Sequence, residues 1–178
     1  MGYALAQAAA DMGAIVTLIS GASSLPAPKN VTFISATSAE QMYHAVMCNI
    51  SNQQVFVGVA AVADYTPAKP SAHKIKKSER ILTIELTSTK DILKEVASLP
   101  NAPFCVGFAA ETQHLIEYAS AKRIAKKLPL IVANDVTTAM GNDENSVTLI
   151  DDTGIHALPT ADKKVVAEGI LAHIARML

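Results

Sequence analysis

Short runs of apolar, mostly β-branched residues alternate along this chain with longer segments of helical character. Strands are predicted at residues 14–19, 31–34, 55–61, 104–109 and 130–133. Helices are predicted at residues 2–12, 37–50, 91–98, 115–127 and 162–177. Continuous apolar strands between helices are typical of a parallel sheet that is covered on both faces. The alternation therefore predicts a three-layer, Rossmann-like α/β fold with a mostly parallel sheet and helices on both faces.

Local signals support this assignment at the ends of several elements. Gly13 follows the first helix, where a glycine often ends a helix, and Thr37 and Glu40 have the spacing of a capping box for the second helix. Near the C-terminus, residues 147–150 and 155–158 flank the sequence Asp-Asp-Thr-Gly, which predicts a β-hairpin.

Composition limits both the fold and the function. A chain of 178 residues predicts a single domain over residues 1–178, and 50% hydrophobic residues supply one packed core. A net charge of −1 and an aromatic share of 4% argue against nucleic-acid binding. Cys48 and Cys105 are too few for a disulfide framework. Since the sequence also lacks a membrane span and a secretory leader, we expect a cytoplasmic protein.

The segment 64–80 breaks the alternating pattern. It contains two prolines and five Lys or Arg residues, and it leads into a partly alternating strand predicted at residues 81–86. Because the α/β pattern continues beyond it, we interpret residues 64–86 as an exposed arm or flap.

Polar residues follow three of the predicted parallel strands. Asp64 comes after the strand at 55–61, Thr112 after the strand at 104–109, and Asn134 after the strand at 130–133. Ligands of such sheets bind at the carboxyl ends of the strands. Each residue alone is explained by capping of a helix or turn, but the three together predict a ligand crevice at one edge.

Two glycines lie inside the predicted strands that border this crevice. Gly58 and Gly107 weaken a strand, so they mark the close approach either of a ligand or of a packed helix. The sequence leaves both explanations open. Small residues such as Ala60 and Ala61 leave room for a flat ligand, which backbone N–H and C=O groups can recognise.

Lysines from two distant segments are candidates for binding anions. The run Lys74-Ile-Lys-Lys77 lies on the predicted arm, where it is either a phosphate-closing element or a solvated charge run. Lys122 and Lys126 share one face of a helix and repel each other unless an anion lies between them. Favourable placement near the C-terminus of the helix is the alternative explanation.

Signals for metal binding or a protein nucleophile are weak. His44 and Cys48 have i,i+4 spacing but lack a second pair of ligands, and Cys105 is predicted to be an inert core thiol. No partner is visible for His114 or His156. The sequence contains no G-x-G-x-x-G, the glycine pattern that binds dinucleotides.

Four ordered motifs carry a resemblance to a known family. The strings are Gly58-Val-Ala-Ala-Val-Ala-Asp-Tyr65, Lys74-Ile-Lys-Lys77, Gly107-Phe-Ala-Ala-Glu-Thr112 and Ala133-Asn-Asp-Val136. In this order and spacing they resemble the synthetase domain of bacterial phosphopantothenoylcysteine synthetase, which is usually fused behind a flavin-dependent decarboxylase. The resemblance runs from Gly2 to the last helix. It also implies that the strand and the loop with which the family begins are missing from this chain.

The resemblance implies a CTP-dependent ligase of coenzyme A biosynthesis. The family joins 4′-phosphopantothenate to L-cysteine through an acyl-cytidylate, releases pyrophosphate and CMP, and uses Mg²⁺ to neutralise the triphosphate. The family is dimeric, and the arm at residues 64–86 is implied to reach towards the partner. Such chemistry needs cations and positioning rather than a protein nucleophile.

The resemblance also implies roles for individual residues. Lys74 is implied to contact the phosphates and to assist activation, and Asn134 to contact the second substrate. The implied nucleotide-binding residues are Gly58, Val59, Ala60, Asp64, Lys74, Lys90, Asp91, Ile92, Leu93, Phe108, Lys122 and Lys126.

Two other functions compete with the ligase. One is a nicotinamide- or flavin-dependent oxidoreductase on a Rossmann-like fold, against which the missing dinucleotide motif argues. The other is a catalytically impaired nucleotide-binding dimerisation module, which keeps the fold but lacks part of the substrate pocket.

Overall fold

The computed structural model describes residues 1–71, 73–76, 81–111, 113–135 and 144–178. The strands are β1 (Val16–Ser20), β2 (Val31–Ser35), β3 (Val55–Gly58), β4 (Tyr65–Pro67), β5 (Leu86–Ser88), β6 (Phe104–Glu111), β7 (Leu130–Asp135), β8 (Glu144–Ile150) and β9 (Ile155–Asp162). The helices are α1 (Gly2–Asp11), α2 (Ala39–Asn49), α3 (Ile92–Ala97), α4 (Leu115–Ala125) and α5 (Lys163–Met177). Each main helix and strand lies close to its predicted position.

The central sheet is mixed and has the strand order β3-β6-β7-β8-β9. Strands β3, β6 and β7 are parallel, and the β8–β9 hairpin extends the sheet in antiparallel orientation. Strands β1 and β2 form a separate parallel pair, and β4 and β5 form an antiparallel pair in the arm. The structure therefore confirms the predicted α/β fold, with its parallel strands on one side of the sheet and the hairpin on the other.

Apolar side chains cover the central sheet on both faces. On one face, Val106 and Val132 pack with α1 and α5 in a cluster that includes Leu5 and Ile170. On the opposite face, Cys105 packs with α2 and α3, and a second group around α4 contains Ala109, Ala119, Ile131, Ala133 and Ile150. Neighbouring residues of one strand thus point to opposite layers, as strand geometry requires. This arrangement confirms the expected helices on both faces.

Polar side chains cap three of the helices. Ser38 is the N-cap of α2, since its Oγ accepts a hydrogen bond from the Gln41 backbone N–H at 3.2 Å. Gln41 Oε1 in turn accepts from the Thr37 backbone N–H at 2.8 Å. The predicted box of Thr37 and Glu40 was therefore wrong by one residue, because Gln41 performs the reciprocal role. The other two capped helices are α3 and α5. Their N-caps are Asp91 and Asp162, whose carboxylates accept hydrogen bonds from backbone N–H groups of the first turn.

Two predicted strands are shorter than expected. Strand β3 ends at Gly58 rather than at residue 61, and residues 81–85 are not a strand. In the arm, β5 pairs for three residues with β4, which ends at Pro67. One further hydrogen bond follows, from the Ala68 N–H to the Glu85 carbonyl at 2.9 Å, and Pro70 has no N–H with which to extend the pairing. The alternation at residues 81–86 was therefore a misleading signal.

An irregularity marks the edge strand of the sheet. The β8–β9 register shifts between Asn145 and Val147, so that two residues of β9, Pro159 and Thr160, face Ser146. Proline is tolerated at a bulge on an edge strand because its missing N–H breaks no ladder hydrogen bond there.

Cys105 is a buried thiol in the middle of the sheet. Its residue is 2% exposed, and burial raises the pKa of the thiol to about 11. Both observations confirm the predicted inert core cysteine. In the described part of the chain, no helix carries an apolar stretch long enough to cross a bilayer.

Gly107→Ala is expected to lower the free energy of unfolding by about 1–3 kcal/mol, because the core has no room for a methyl group. A Cβ at this position would stand 2.7 Å from Leu128 Cδ1 and 3.0 Å from Leu93 Cδ2. Chemical denaturation measures the change. Gly21→Ala is the matched control, since its nearest neighbour would be the Ala36 carbonyl oxygen at 3.9 Å. Equal stability of the two variants would contradict the packing described here.

Candidate active site

The carboxyl ends of the parallel strands form one edge of the sheet, as the sequence predicted. Gly58, the last residue of β3, pairs with Gly107, but β6 continues for four residues beyond this point. Strand β7 follows β6 to its end, where Asp135 pairs with Glu111. The departure of β3 leaves a notch beside β6 from Phe108 onward. Such a notch is where ligands approach the backbone of an open α/β sheet.

Helix α3 packs beside this notch, against both strand glycines. Leu93 lies against both positions, at 3.4 Å from a Cβ built on Gly58 and at 3.0 Å from one built on Gly107. Ile92, the preceding residue, is buried with α2. Of the two explanations that the sequence left open, close helix packing therefore accounts for Gly107. Whether Gly58 also contacts a ligand stays a prediction.

Helix α4 packs on the same face of the sheet as α3 and brings Lys122 to β6. Lys122 Nζ donates a hydrogen bond to the Phe108 carbonyl oxygen at 2.8 Å. The ring of Phe108 is partly buried with the apolar cluster on the opposite face, towards α1 and α5. Lys122 and Phe108, both predicted site residues, are thus in contact through the backbone carbonyl of Phe108. Packing of the ring on a nucleotide stays a prediction.

Lys126, one turn further along, contacts the start of α3. Its Nζ lies 2.7 Å from Asp91 Oδ2, while Asp91 Oδ1 accepts from the Lys94 backbone N–H at 3.1 Å. Partial burial alone would raise the pKa of Asp91. The hydrogen bonds from Lys126 and Lys94 and the charges of Lys126 and Lys122 outweigh it and lower that pKa. A carboxylate of this chain therefore relieves the repulsion between the two lysines, a role that the sequence had led us to expect of a bound anion.

The lowered pKa predicts that the Asp91–Lys126 ion pair persists well into mildly acidic solution. A depressed pKa means that the carboxylate stabilises the fold above its ordinary pKa, and this contribution is lost as the pH falls through the lower, folded-state value. A carbon-13 NMR titration of the Asp91 carboxyl measures the midpoint. Lys126→Ala is expected to move the midpoint upward, whereas Lys164→Ala on α5 should leave it unchanged. A midpoint unmoved by Lys126→Ala would contradict the ion pair.

The base of the arm joins the end of β3 to the start of α3. Thr89 donates from its backbone N–H to the Asp64 carbonyl at 2.9 Å and from its hydroxyl to the Ala63 carbonyl at 2.6 Å. Thr89 is two residues before Asp91, so this clamp holds Asp64 beside the same corner. The Asp64 carboxylate is exposed and makes no ion pair with any residue that the structure describes.

Two other predicted lysines have side chains with different surroundings. Lys74 is exposed on the arm and forms no ion pair with the described residues. The ammonium group of Lys90 lies 4.0 Å from the ring centroid of Tyr43 on α2, a cation–π contact that directs it towards that helix. Among the described residues, neither Lys74 nor Lys90 forms an ion pair with Asp91, the partner of Lys126. Lys77, Thr112 and Val136 lie outside the described residues.

Asn134 has an unusual environment near the end of β7. Its side-chain oxygen is buried and has no hydrogen-bond partner among the described residues. A buried acceptor without a partner costs free energy, so such an atom is expected to meet a ligand or water. This observation agrees with the substrate contact predicted for Asn134. At the end of β3, Val59 is partly buried near Gly2 and Ala60 is exposed.

Sequence reasoning missed two features of this corner. The pairing of Asp91 with Lys126 joins residues 35 positions apart. The Thr89 clamp lies at the base of the arm, where the sequence predicted a strand at residues 81–86 and the structure has one at Leu86–Ser88. The i,i+4 spacing of the two lysines was nevertheless a usable signal, because charge balance requires an anion beside them and a carboxylate of this chain can supply it.

Comparison with known proteins places the chain in a family. Residues 1–178 match the family model of the DNA/pantothenate metabolism flavoprotein C-terminal domain. The chain belongs to this family. Within it, the coenzyme A biosynthesis bifunctional protein CoaBC of Vibrio vulnificus strain CMCP6 is 44% identical over 100% of this chain and 46% of its own length. The corresponding protein of Escherichia coli K12 is 42% identical over 98% of this chain and 45% of its own length.

Solved structures of the flavoprotein C-terminal domain family have the same fold. The crystal structure of the C-terminal domain of CoaBC is similar at a TM-score of 0.83 and 38% identity, covering 99% of this chain and 81% of that one. The DNA/pantothenate metabolism flavoprotein from Streptococcus pneumoniae is similar at a TM-score of 0.81 and 20% identity, with 99% and 87% covered, and supports the fold alone. The chain spans about half the length of the curated relatives it matches.

Proposed function

We propose that this chain is a phosphopantothenate–cysteine ligase of coenzyme A biosynthesis. The whole-chain similarity to the bifunctional proteins CoaBC supports a step of that pathway. The observation that carries the proposal is the meeting of Lys122, Lys126 and the N-terminus of α3 at the notch beside β6. Two cations at the carboxyl edge of a parallel sheet suit a polyphosphate. The co-substrate that we propose is CTP.

The proposed reaction has two steps, and neither needs a protein nucleophile. The carboxylate of 4′-phosphopantothenate attacks the α-phosphorus of CTP, which forms an acyl-cytidylate and releases pyrophosphate. The amine of cysteine then attacks the acyl carbon, an amide bond forms, and CMP leaves with the electrons of the broken C–O bond. A carboxylate and a triphosphate repel each other, so the protein must supply positive charge and orientation. Lys122 and Lys126 provide that charge in this proposal.

The nucleotide is proposed to lie along the notch. Backbone groups of Gly58, Val59 and Ala60 and the edge of β6 at Phe108 recognise the base. The N-terminal turn of α3, from Lys90 to Leu93, borders the ribose and phosphates, and Asn134 faces the second substrate. Lys74 approaches the phosphates when the arm lies over them. Asp64 is proposed to contact the nucleotide. Mg²⁺ is the proposed cofactor, and it would neutralise phosphate charge when bound.

The arm is the proposed contact between two copies of the chain. Its large apolar side chains are strongly exposed, and they include Tyr65 at 63%, Ile75 at 64%, Ile81 at 77% and Leu82 at 65%. Apolar surface of this extent on a short segment marks an interaction site. We therefore propose a homodimer, with a flavin-dependent phosphopantothenoylcysteine decarboxylase as a fused or associated partner. Light scattering of the purified protein measures the number of copies.

Product analysis tests the ligase directly. The purified chain is mixed with CTP, Mg²⁺, 4′-phosphopantothenate and L-cysteine, and CMP and pyrophosphate are expected in equal amounts. When cysteine is omitted, a single burst of pyrophosphate is expected without CMP, because the acyl-cytidylate cannot be resolved. CTP binding without either product would favour the impaired dimerisation module. Binding of NADH in place of CTP would favour an oxidoreductase.

A further inference from the structure

A cluster of three potential metal ligands lies outside the candidate active site. Asp151 directly follows β8, His156 is on β9, and His173 is on α5. The end of β8 pairs with Ile131 near the start of β7, so the cluster lies at the amino ends of the parallel strands, opposite the notch. Within the described residues, the ligand atoms of these three side chains all lie within 4.8 Å of one another. The proposed ligase reaction uses none of them.

The hairpin turn fixes the Asp151 carboxylate in one orientation. Its Oδ1 accepts hydrogen bonds from the Thr153 backbone N–H and hydroxyl, both at 2.7 Å, and from the Gly154 N–H at 3.1 Å. Its Oδ2 faces the two imidazoles, with His173 Nε2 at 2.7 Å and His156 Nε2 at 3.3 Å. His156 Nε2 also lies 3.3 Å from Oδ1 and 3.1 Å from the Thr153 hydroxyl oxygen. Oδ1 is thus held by the turn, whereas Oδ2 faces both imidazoles. Outer hydrogen bonds that hold a carboxylate in this way are typical of metal sites.

We propose that Asp151, His156 and His173 bind one transition-metal dication, with Zn²⁺ as the cation that suits this donor set best. Two imidazole nitrogens and a carboxylate oxygen are ligands of Zn²⁺, which also accepts water in a fourth position. Zinc bonds of ~2.0–2.1 Å in tetrahedral geometry separate the ligand atoms by about 3.3 Å. The contact of His156 with Asp151 Oδ2 already has this length, at 3.3 Å, and the contact of His173, at 2.7 Å, needs to open by about 0.6 Å.

Burial gives the site one closed and one open side. The side chains of Asp151 and His173 are 2% and 10% exposed, whereas that of His156 is 39% exposed. A cation therefore reaches the site past His156, and a water molecule can complete its coordination there. The three ligands come from the hairpin and from α5, so the bound cation would fasten the C-terminal helix to the sheet.

Arg176 opposes this binding and supplies a second test. Its Nη2 lies 3.2 Å from His173 Nδ1, and arginine has only donors. His173 Nδ1 therefore accepts, and its proton is on Nε2, which donates to Asp151. A metal ion at Nε2 takes the place of that proton, which moves to Nδ1 by exchange with water. Because Arg176 is exposed, its side chain can turn away.

Metal titration of untagged, chelator-treated protein tests the proposal. One equivalent of Zn²⁺ is expected to bind at micromolar concentration or below, and Co²⁺ is expected to give the visible absorption of a tetrahedral site. His156→Ala is expected to weaken binding about 10-fold or more. The matched control is His44→Ala, which removes an exposed histidine that pairs with Glu40 on α2. Circular dichroism confirms that the variants fold.

Each outcome decides for or against the site. Loss of affinity in His156→Ala but not in His44→Ala supports it. No binding at these concentrations, or equal affinities in both variants and the parent, overturns it, because binding would then be adventitious. Arg176→Gln is expected to tighten binding several-fold, since it removes a positive charge and frees Nδ1 for protonation. Unchanged or weaker binding in this variant would count against His173 as a ligand.

Discussion

Replacing Lys126 with alanine is expected to weaken CTP binding by about 10- to 100-fold, since a charge-assisted hydrogen bond contributes about 1.5–3 kcal/mol. The loss has two causes. The phosphates lose a cation, and Asp91, which lies 2.7 Å from the ammonium group, becomes an unpaired negative charge beside them. Isothermal titration with CTP and Mg²⁺ measures the dissociation constant.

A second substitution separates these two causes. In the double variant Asp91→Asn and Lys126→Ala, the unpaired carboxylate is gone, so part of the lost affinity is expected to return. Lys164→Ala is the matched control, because it removes a lysine from α5, on the other face of the sheet. If CTP affinity were the same in Lys126→Ala as in this control, the notch would not be the phosphate site.

Replacing Lys74 with alanine is expected to lower kcat about 100-fold, the effect of removing one group that stabilises charge in a transition state. Lys74 forms no ion pair with the described residues, so its removal should leave the free energy of unfolding unchanged. We expect CTP affinity to fall much less than turnover, because the arm contributes mainly once the reacting groups are aligned. Steady-state release of CMP, with CTP and cysteine varied separately, distinguishes the two parameters.

Lys76→Ala is the control for this experiment, since Lys76 is an exposed lysine on the same arm. Normal turnover in Lys76→Ala with impaired turnover in Lys74→Ala assigns the effect to a single position. Equal turnover in both variants and the parent would mean that the basic run is a solvated surface, which was the alternative explanation of its composition.

Local sequence was sufficient to predict most elements of the fold. The strands that hold the sheet together are continuous apolar runs, and burial on both faces leaves few other structures for them. Leu130, Ile131 and Val132 are all fully buried, for example, although they point to alternating faces. The hairpin was predictable because Asp151-Asp-Thr-Gly154 contains the residues that a tight connection requires.

Features that depend on distant residues were harder to predict. No residue near Asp91 in the sequence indicates that Lys126 is its partner. No partner was visible for His156 because Asp151 and His173 belong to different elements. The strand predicted at residues 81–86 was wrong except at Leu86 for the same reason, since a strand needs a neighbour with which to pair. Periodicity reports the environment of a segment but not the identity of its neighbours.

The glycines show where one kind of sequence signal reaches its limit. A glycine in a strand indicates a close approach but does not say by what. At Gly107 the approaching groups are Leu93 and Leu128, which is a packing role. Asn134 is the opposite case, because its unpartnered oxygen became visible only when the surrounding strands were in place.

Pro159 has a consequence for the behaviour of this protein at high concentration. An outer strand with a regular row of free amide and carbonyl groups is a template on which another polypeptide can assemble side by side. The irregularity at Pro159 and Thr160 interrupts that row in β9. This flank is thereby protected against growth into fibrillar aggregates, so a concentrated sample is expected to remain clear.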